Sequence, residues 1–186
     1  MNYRIVMRGI RQFFKRLIFN RPITDNILTL VSAATIDSNS SVGENTYIGK
    51  YVNITSATIG RYCSIANNVS IGMGEHRLDR ISTSSFFYGN DEYATLTEGF
   101  CVIKNDVWIG VDSIIRRGIT IGNGAVVGAN SFVNADVPDF AIVAGNPARL
   151  IRYRFPEWKR AKILASHWWD YDIDVARKKI AELLDE

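Results

Sequence analysis

The sequence predicts an all-β fold, a three-sided prism wound from short parallel strands. Three observations predict it: an aliphatic residue recurs at every sixth position, glycine often follows it, and a small or aliphatic residue stands four positions after it. A fixed period of this kind is typical of repeat architectures, in which each repeat packs on its neighbours. The aliphatic positions are Ile36, Val42, Ile48, Ile54, Ile59, Ile65 and Ile71 in a first block, and Ile103, Ile109, Ile115, Ile121, Val127 and Val133 in a second.

Each repeat is interpreted as one strand followed by a tight turn. Three repeats make one coil, and each aliphatic side chain points inward toward its equivalent in the next coil, about 4.8 Å away. Glycine is expected at the turns because it adopts positive φ without steric cost. The usual handedness of parallel crossovers would predict a right-handed coil. The prism is expected over residues 36–148, interrupted by a loop at residues 73–100.

The predicted loop is the main departure from the repeat. A connection of this length is uncommon in a compact domain unless it is functional or disordered. Its aromatic residues, Phe86, Phe87, Tyr88, Tyr93 and Phe100, are too many for a disordered linker. Binding and catalytic residues concentrate on loops that a rigid scaffold positions. The candidate active site is therefore expected where the repeat is interrupted.

The first 22 residues predict an amphipathic basic helix. One interpretation is a helix whose apolar face caps the open end of the prism. The other is a helix that lies on an anionic membrane surface as a peripheral contact. The cationic members are Arg4, Arg8, Arg11, Lys15, Arg16 and Arg21, and the apolar members are Ile5, Ile10, Phe13, Phe14, Leu17 and Ile18.

Residues 155–186 predict two helices. Pro156 suits the first turn of one helix, and Asp174 suits the N-cap of the next. We expect these helices to cover the far end of the prism, where strand edges would otherwise stay unpaired. Residues 1–186 are expected to form a single domain.

Composition narrows the class of protein. The 186 residues are 47% hydrophobic and 22% charged, as in ordinary globular domains, and a net charge of +3 is too weak and scattered to indicate a nucleic-acid partner. No apolar run reaches the length of a membrane span and the first residues lack a signal-peptide cleavage pattern, so a cytoplasmic protein is expected. Two cysteines make no disulfide framework, and Cys63 occupies an inward repeat position.

The candidate catalytic residue is His76, one of two histidines in the chain, which stands near the start of the loop. An imidazole can take a proton from a hydroxyl or an amine near neutral pH. The alternative is a histidine with only a surface or capping role. His167, beside Trp168 and Trp169, is interpreted as structural. Two histidines cannot supply a three-histidine zinc site, and no metal site is predicted.

Five features in this order resemble a known family: the six-residue repeat, the opening of the loop, two short segments and the tail. The corresponding sequences are His76-Arg77-Leu78-Asp79, Asn105-Asp106-Val107-Trp108-Ile109-Gly110, Ala144-Gly145-Asn146-Pro147-Ala148 and Trp168-Trp169. From Ile36 onward the chain resembles the xenobiotic acetyltransferase subgroup of the hexapeptide-repeat acetyltransferases. The resemblance implies a left-handed parallel β-helix, against the usual crossover rule, and a homotrimer. It also implies acetyl-CoA in the groove between adjacent prisms and a loop histidine as general base.

Direct transfer between the two bound substrates is the mechanism that the resemblance implies. His76 would deprotonate an acceptor hydroxyl or amine for attack on the thioester, and would then protonate the departing thiolate. Either Asp79 or Glu75 would orient the imidazole. Backbone N–H groups of the second block would stabilise the oxyanion and hold the pantetheine arm.

The residues implied to bind acetyl-CoA come from the second block and the segment after it. Trp108 would lie near the thioester, with packing at a corner of the coil as the alternative. Arg149 would contact the CoA phosphates, assisted by Arg152 or Lys159. The full set is Trp108, Gly110, Gly128, Ala129, Asn130, Ala144, Pro147 and Arg149.

The early repeats indicate the class of acceptor. Antibiotic-modifying members of the family carry an extra excursion there, whereas this chain runs without interruption from Val42 to Ile54. It resembles shorter members that acetylate sugars for surface polysaccharides, so a sugar or nucleotide sugar is expected, with oxygen favoured over nitrogen. The alternatives are a streptogramin or chloramphenicol acceptor, or a non-catalytic scaffold. Candidate substrate-binding residues are Asp37, Tyr47, Asn53, Asp79 and Tyr88.

Overall fold

The computed structural model describes residues 29–30, 33–89 and 98–184. The strands in these ranges are β1 (Thr29–Leu30), β2 (Thr35–Ile36), β3 (Ser41–Val42), β4 (Tyr47–Ile48), β5 (Asn53–Ile54), β6 (Ala57–Ile59), β7 (Ser64–Ile65), β8 (Ser70–Met73), β9 (Cys101–Ile103), β10 (Trp108–Ile109), β11 (Ile114–Arg116), β12 (Thr120–Ile121), β13 (Val126–Val127), β14 (Phe132–Val133), β15 (Ala141–Gly145) and β16 (Ala148–Tyr153). The helices are α1 (Glu157–Ser166) and α2 (Ile173–Leu184), with 3₁₀ turns at Ser85–Phe87 and Trp168–Asp170. The helix predicted over residues 1–22, and Tyr93 of the loop, lie outside the described residues.

The strands form three sheets, which we call faces 1, 2 and 3. Face 1 has the order β1-β4-β7-β10-β13-β15-β16, face 2 the order β14-β11-β8-β5-β2, and face 3 the order β12-β9-β6-β3. From β1 to β14, paired strands of the same face lie three apart along the chain and are parallel, so three repeats make one coil, as predicted. Strands β13 and β15 also pair in parallel but are two apart, because Val137 between them makes only an isolated bridge to Ile121. Strand β16 differs, because it folds back antiparallel on β15 at the edge of face 1.

Three stacked corners join the faces. Corner 1–2 leads from face 1 into face 2 (residues 49–52, 66–69, 110–113 and 128–131), and corner 2–3 leads from face 2 into face 3 (residues 37–40, 55–56, 117–119 and 134–136). Corner 3–1 completes each coil (residues 43–46, 60–63, 104–107, 122–125 and 138–140). Strand β1 adds a coil before the predicted start at Ile36, and Met73 ends β8 rather than starting the loop.

The predicted inward positions form the core. Every aliphatic repeat position from Ile48 to Val133 is at most 1% exposed, while Ile36 and Val42 in the first coils are partly buried. The small residues four positions later, such as Cys63 and Ser113, are buried as well. The residues that stack in the core are therefore those that the six-residue period predicts.

Most of the repeat glycines do not adopt the positive φ that was expected to explain them. Gly72 has positive φ, but Gly43, Gly49, Gly60, Gly110, Gly122 and Gly128 do not, and the left-handed corner positions belong to residues such as Asn45, Tyr62 and Asp106. A Cβ built on Gly110 would stand 2.5 Å from the backbone nitrogen of Ala129 in the next coil. Glycine is needed there because adjacent corners approach too closely for a side chain.

The two C-terminal helices exist as predicted, with two corrections at their starts. Pro156 is the N-cap of α1 rather than a first-turn residue. Asp172, not Asp174, caps α2, since its Oδ1 accepts the amide of Val175 at 3.0 Å. A side-chain oxygen that accepts an N3 amide is the ordinary N-cap arrangement.

The contacts of the tail place it along corner 3–1, whereas we expected it over the end of the prism. The Tyr62 hydroxyl donates to the Tyr171 carbonyl at 2.8 Å, and the ring of Tyr62 lies 5.1 Å from that of Trp168. Arg154 binds Asp106 at 3.0 Å and the carbonyl of Gly124 at 2.8 Å. Apolar side chains of the helices pack there with Phe140 in a second buried cluster. Among the helices in the described ranges, none has the length and apolar character that crossing a membrane requires.

Replacing Ile109 with alanine should destabilise the fold by about 2–5 kcal/mol, because the truncation leaves a cavity between Ile65 and Val127. Urea unfolding would measure the loss. Ile114→Ala is the matched control, since Ile114 is 46% exposed on the outside of face 2 and should change stability by only about 0.5 kcal/mol. Equal losses for the two variants would contradict the inward assignment of the repeat.

Candidate active site

Arg117 ties both ends of the loop to the prism. Its guanidinium lies 3.5 Å from the carbonyl of Met73, 3.4 Å from the carbonyl of Gly99 and 3.3 Å from the hydroxyl of Thr55. These contacts hold the loop at corner 2–3. Arg117 is not among the site residues predicted from the sequence, although paired arginines directly after an inward repeat position are the signal that could have indicated it.

A second arginine fixes the residue next to His76. The Arg116 guanidinium binds both carboxylate oxygens of Glu75, through Nε to Oε1 and through Nη2 to Oε2 at 2.8 Å. This two-point ion pair lowers the pKa of Glu75. The base of the loop is therefore anchored to the coil that follows it.

The imidazole of His76 is oriented by a backbone carbonyl. His76 Nδ1 lies 2.8 Å from the carbonyl oxygen of Thr83, and because a carbonyl can only accept, Nδ1 carries the hydrogen. The neutral ring then presents an unprotonated Nε2 from an exposed side chain. The carboxylates of Glu75 and Asp79, which we expected to orient the ring, bind arginines instead. This arrangement can accept a proton at Nε2.

Two predicted substrate-binding residues are engaged within the loop itself. The Tyr88 hydroxyl donates to the Thr83 carbonyl at 2.9 Å and accepts the Arg77 amide at 3.0 Å. Asp79 binds the Arg77 guanidinium, and this hydrogen bonding lowers the pKa of Asp79 to about 2. Both side chains also border an open cleft of about 450 Å³.

The other three predicted substrate-binding residues do not meet in one site of the chain. Asp37 lies at corner 2–3, where its carboxylate accepts the Ser40 hydroxyl at 2.5 Å and the Ser56 amide at 3.1 Å. The Ser40 hydrogen bond lowers the pKa of Asp37. Tyr47 projects from face 1 and Asn53 from face 2. Asp37 is therefore held within a corner, whereas Tyr47 and Asn53 are exposed on two different faces.

Most of the predicted acetyl-CoA residues stack along corner 1–2. Gly110 lies directly beneath Gly128 and Ala129, and a Cβ on Gly128 would meet that of Ala144 at 2.8 Å. Arg149 on β16 lies opposite Ala144 in the antiparallel pair. The structure therefore brings most of this set together as one column, with Asn130 in the corner turn and Pro147 in the hairpin between β15 and β16.

Trp108 projects outward from face 1 and is 57% exposed. It lines a groove of about 510 Å³ together with Ile142 and Arg152, beside corner 3–1. Lys159 does not join Arg149, because it lies at corner 3–1 with its ammonium 5.8 Å from the Phe155 ring.

The two cysteines belong to the core. Burial raises the pKa of the Cys63 thiol to about 12, and the thiol of Cys101 donates to the Arg116 carbonyl at 3.2 Å. Neither side chain is exposed. Within the described ranges, the His, Cys, Asp and Glu side chains form no group of three that could hold a metal ion.

His76 and the column at corner 1–2 lie at opposite edges of face 2. Corner 1–2 precedes the strands of that face, and the loop leaves from their other end, after β8. Arg117 and the Glu75–Arg116 pair keep the start of the loop at corner 2–3. A site that needs both features is therefore divided between two edges of the prism.

Comparison with known proteins agrees with the repeat. Residues 34–72 and 100–135 match the family "Bacterial transferase hexapeptide (six repeats)". Chloramphenicol acetyltransferase of Escherichia coli is 40% identical over 126 residues, which cover 62% of this chain and 60% of that protein. The probable macrolide acetyltransferase of Lysinibacillus sphaericus is 40% identical over 123 residues, 61% of this chain and 68% of that protein. The putative lipopolysaccharide biosynthesis O-acetyl transferase WbbJ of Escherichia coli K12 is 35% identical over 116 residues, 59% of this chain and 58% of that protein.

The solved structures agree on the fold. AntD, an N-acyltransferase from Bacillus cereus in complex with dTDP and 3-hydroxybutyryl-CoA, has a TM-score of 0.57 at 22% identity, over 68% of this chain and 69% of that chain. The chain spans about 60% of the length of the chloramphenicol acetyltransferases that it matches. The stacked repeat and the relatives at 40% identity show that the chain belongs to the bacterial transferase hexapeptide family.

Proposed function

We propose that the protein is an acetyl-CoA-dependent acetyltransferase that acts on a hydroxyl group of a sugar, with His76 as the general base. The observation that carries the proposal is the hydrogen bond from His76 Nδ1 to the Thr83 carbonyl, which leaves Nε2 able to accept a proton. A base needs a defined tautomer and a fixed direction, and the anchored loop supplies both.

His76 would act twice in the reaction. Acetyl-CoA supplies the acetyl group as a thioester. Nε2 takes the proton of the acceptor hydroxyl while the hydroxyl oxygen forms its bond to the thioester carbonyl carbon. The imidazolium then returns this proton to the sulfur as the carbon–sulfur bond breaks. Charge that develops on the carbonyl oxygen would be met by backbone N–H groups of the second block.

The column at corner 1–2 and the groove beside Trp108 are suited to acetyl-CoA. The column presents the exposed residues Ala129 and Asn130, and the groove combines apolar side chains with the guanidinium of Arg152. Arg149 is the candidate for the CoA phosphates, because a planar guanidinium matches a phosphate in two hydrogen bonds. The residues present thus fit a long ligand with an apolar arm and an anionic end.

The proposal includes a homotrimer of left-handed prisms in the cytoplasm. His76 and the column lie at opposite edges of one face, so a copy beside it would complete the site by contributing the other half. Large apolar side chains of the loop support such a contact, since Leu78 is 89% exposed and Phe86 96% exposed. Exposed apolar side chains in this number are typical of an interaction surface.

Two observations support a sugar as the acceptor. Strands β3, β4 and β5 follow one another without an inserted excursion, so face 1 and face 2 lack the wall expected for a large antibiotic. WbbJ, a putative O-acetyl transferase of lipopolysaccharide biosynthesis, is among the relatives. Oxygen rather than nitrogen is therefore the proposed acceptor atom.

A chloramphenicol-type antibiotic is the second candidate acceptor. The relatives at 40% identity are named chloramphenicol and macrolide acetyltransferases, a higher identity than that to WbbJ. The hydroxyl chemistry at His76 would be the same for this acceptor.

One screen separates these acceptors. We expect purified protein with acetyl-CoA to release free CoA thiol when monosaccharides or nucleotide sugars are added, and not with chloramphenicol, a streptogramin or a macrolide. Release with an antibiotic alone would favour the second candidate. Calorimetry with acetyl-CoA addresses a non-catalytic scaffold, because absence of binding would overturn both enzyme proposals.

A further inference from the structure

The hydroxyl of Tyr88 joins three parts of the loop that surround His76. It donates to the Thr83 carbonyl at 2.9 Å and accepts the Arg77 amide at 3.0 Å. The same carbonyl accepts His76 Nδ1 at 2.8 Å. The hydroxyl oxygen of Tyr88 therefore links the amide of Arg77 to the carbonyl of Thr83, which orients the imidazole of His76.

These contacts leave the Thr83 carbonyl with a defined direction. A carbonyl oxygen has two lone pairs, and the hydroxyl of Tyr88 and the ring of His76 each occupy one. The ring of Tyr88 also stands beside the imidazole, with 6.2 Å between the ring centroids. Because Thr83 lies on an exposed loop, its carbonyl would otherwise have water as an alternative partner.

We propose that Tyr88 is a positioning residue for His76. Its hydroxyl holds the Thr83 carbonyl where this carbonyl keeps the imidazole hydrogen on Nδ1 and the lone pair on Nε2. This inference rests on the proposed function, in which Nε2 is the base. It replaces our sequence expectation that Tyr88 contacts the substrate.

Tyr88→Phe tests the inference because it keeps the ring and removes only the oxygen. We expect kcat with the accepted sugar to fall about 10-fold to 100-fold, as for a catalytic group misplaced by about 1 Å, with the KM values for acetyl-CoA and acceptor within about 2-fold. Nitrogen-15 NMR of the imidazole should show a mixture of tautomers in the variant, where the wild-type protein shows hydrogen on Nδ1 alone. Tyr171→Phe is the matched control, since Tyr171 is 40% exposed beside α2 and its change should alter neither readout.

The NMR spectrum needs no substrate, so it decides the positioning role even if the wild-type protein acetylates none of the acceptors tested. An unchanged His76 tautomer in Tyr88→Phe, with an unchanged melting temperature, would overturn the inference. A rise in acceptor KM without a change in kcat would also overturn it, in favour of a substrate contact. A loss of kcat together with mixed tautomers supports it.

Discussion

Replacing His76 with alanine should lower kcat by about 10²-fold to 10⁴-fold, the usual contribution of a general base. The variant removes the imidazole, whose Nδ1 binds the Thr83 carbonyl and whose Nε2 is the proposed base. Binding of acetyl-CoA should stay within about 2-fold, because the variant leaves intact the column at corner 1–2 and the groove beside Trp108, which are proposed to hold this ligand. Thiol-release kinetics and calorimetry on the same preparation measure the two quantities.

His167→Asn is the control for this experiment. His167 ends α1 in a left-handed conformation with φ of 45°, which asparagine tolerates, and it lies at the tail rather than at the loop. Its activity should equal that of the wild-type protein. Wild-type turnover by His76→Ala would remove the general base from the proposed mechanism.

The two ion pairs at the base of the loop should persist across the neutral pH range. Hydrogen bonding by Arg77 lowers the pKa of Asp79 to about 2, and that by Arg116 lowers the pKa of Glu75. A carboxylate whose folded pKa is depressed stabilises the fold above its unfolded pKa, about 4, and this contribution is lost only as pH falls through the folded value. Between pH 8 and about 5 both carboxylates stay charged, so the circular dichroism spectrum and the melting temperature should not change across this range.

Mixing two inactive variants should restore activity to about a quarter of the wild-type value if each site combines two copies. In a cyclic trimer assembled at random from His76→Ala and Ala129→Glu chains, one neighbour pair in four joins an intact loop to an intact column. Ala129 is exposed at corner 1–2, so glutamate there adds a charge that repels CoA phosphates without entering the core. The chains would be unfolded together, refolded and assayed at equal total protein.

Each variant refolded alone is the first control and should stay near the background rate. The second control refolds wild-type chains with the double variant His76→Ala and Ala129→Glu. A site within one chain would keep about half of the wild-type activity there, and a shared site about a quarter. Absence of recovery in the mixture of single variants, with half activity in this control, would contradict the shared site.

The fold was largely predictable because the inward position is repeated. A slip of one residue would turn every side chain of a strand to the opposite side, so the run from Ile103 to Val133 specified both the strands and their register. The explanation for the glycines was wrong, because the close approach of Gly110 to Ala129 is a property of the stack rather than of one turn. The position of α1 and α2 along corner 3–1 depends on side chains such as Tyr62 and Phe140, which lie far apart in the sequence.

The candidate site was only half predictable. The break in the repeat located the loop that carries His76, because an insertion interrupts the period wherever it occurs. The hydrogen-bond acceptor of the imidazole could not be predicted from residue type, because it is a backbone carbonyl and any residue at position 83 would supply one. The pairing of Glu75 with Arg116 joins residues 41 positions apart and arises only when the coils stack.

By itself the sequence determined the inward column, the three-repeat coil and the place where the coil opens, because all three are properties of spacing along the chain. The tertiary structure decided what no spacing encodes. It oriented His76 on the carbonyl of Thr83 and engaged the hydroxyl of Tyr88 with the same carbonyl. It also set the loop and the column at corner 1–2 on opposite edges of face 2. The chain enters the strands of this face at corner 1–2 and leaves them at corner 2–3, so an insertion after β8 lies at the second corner.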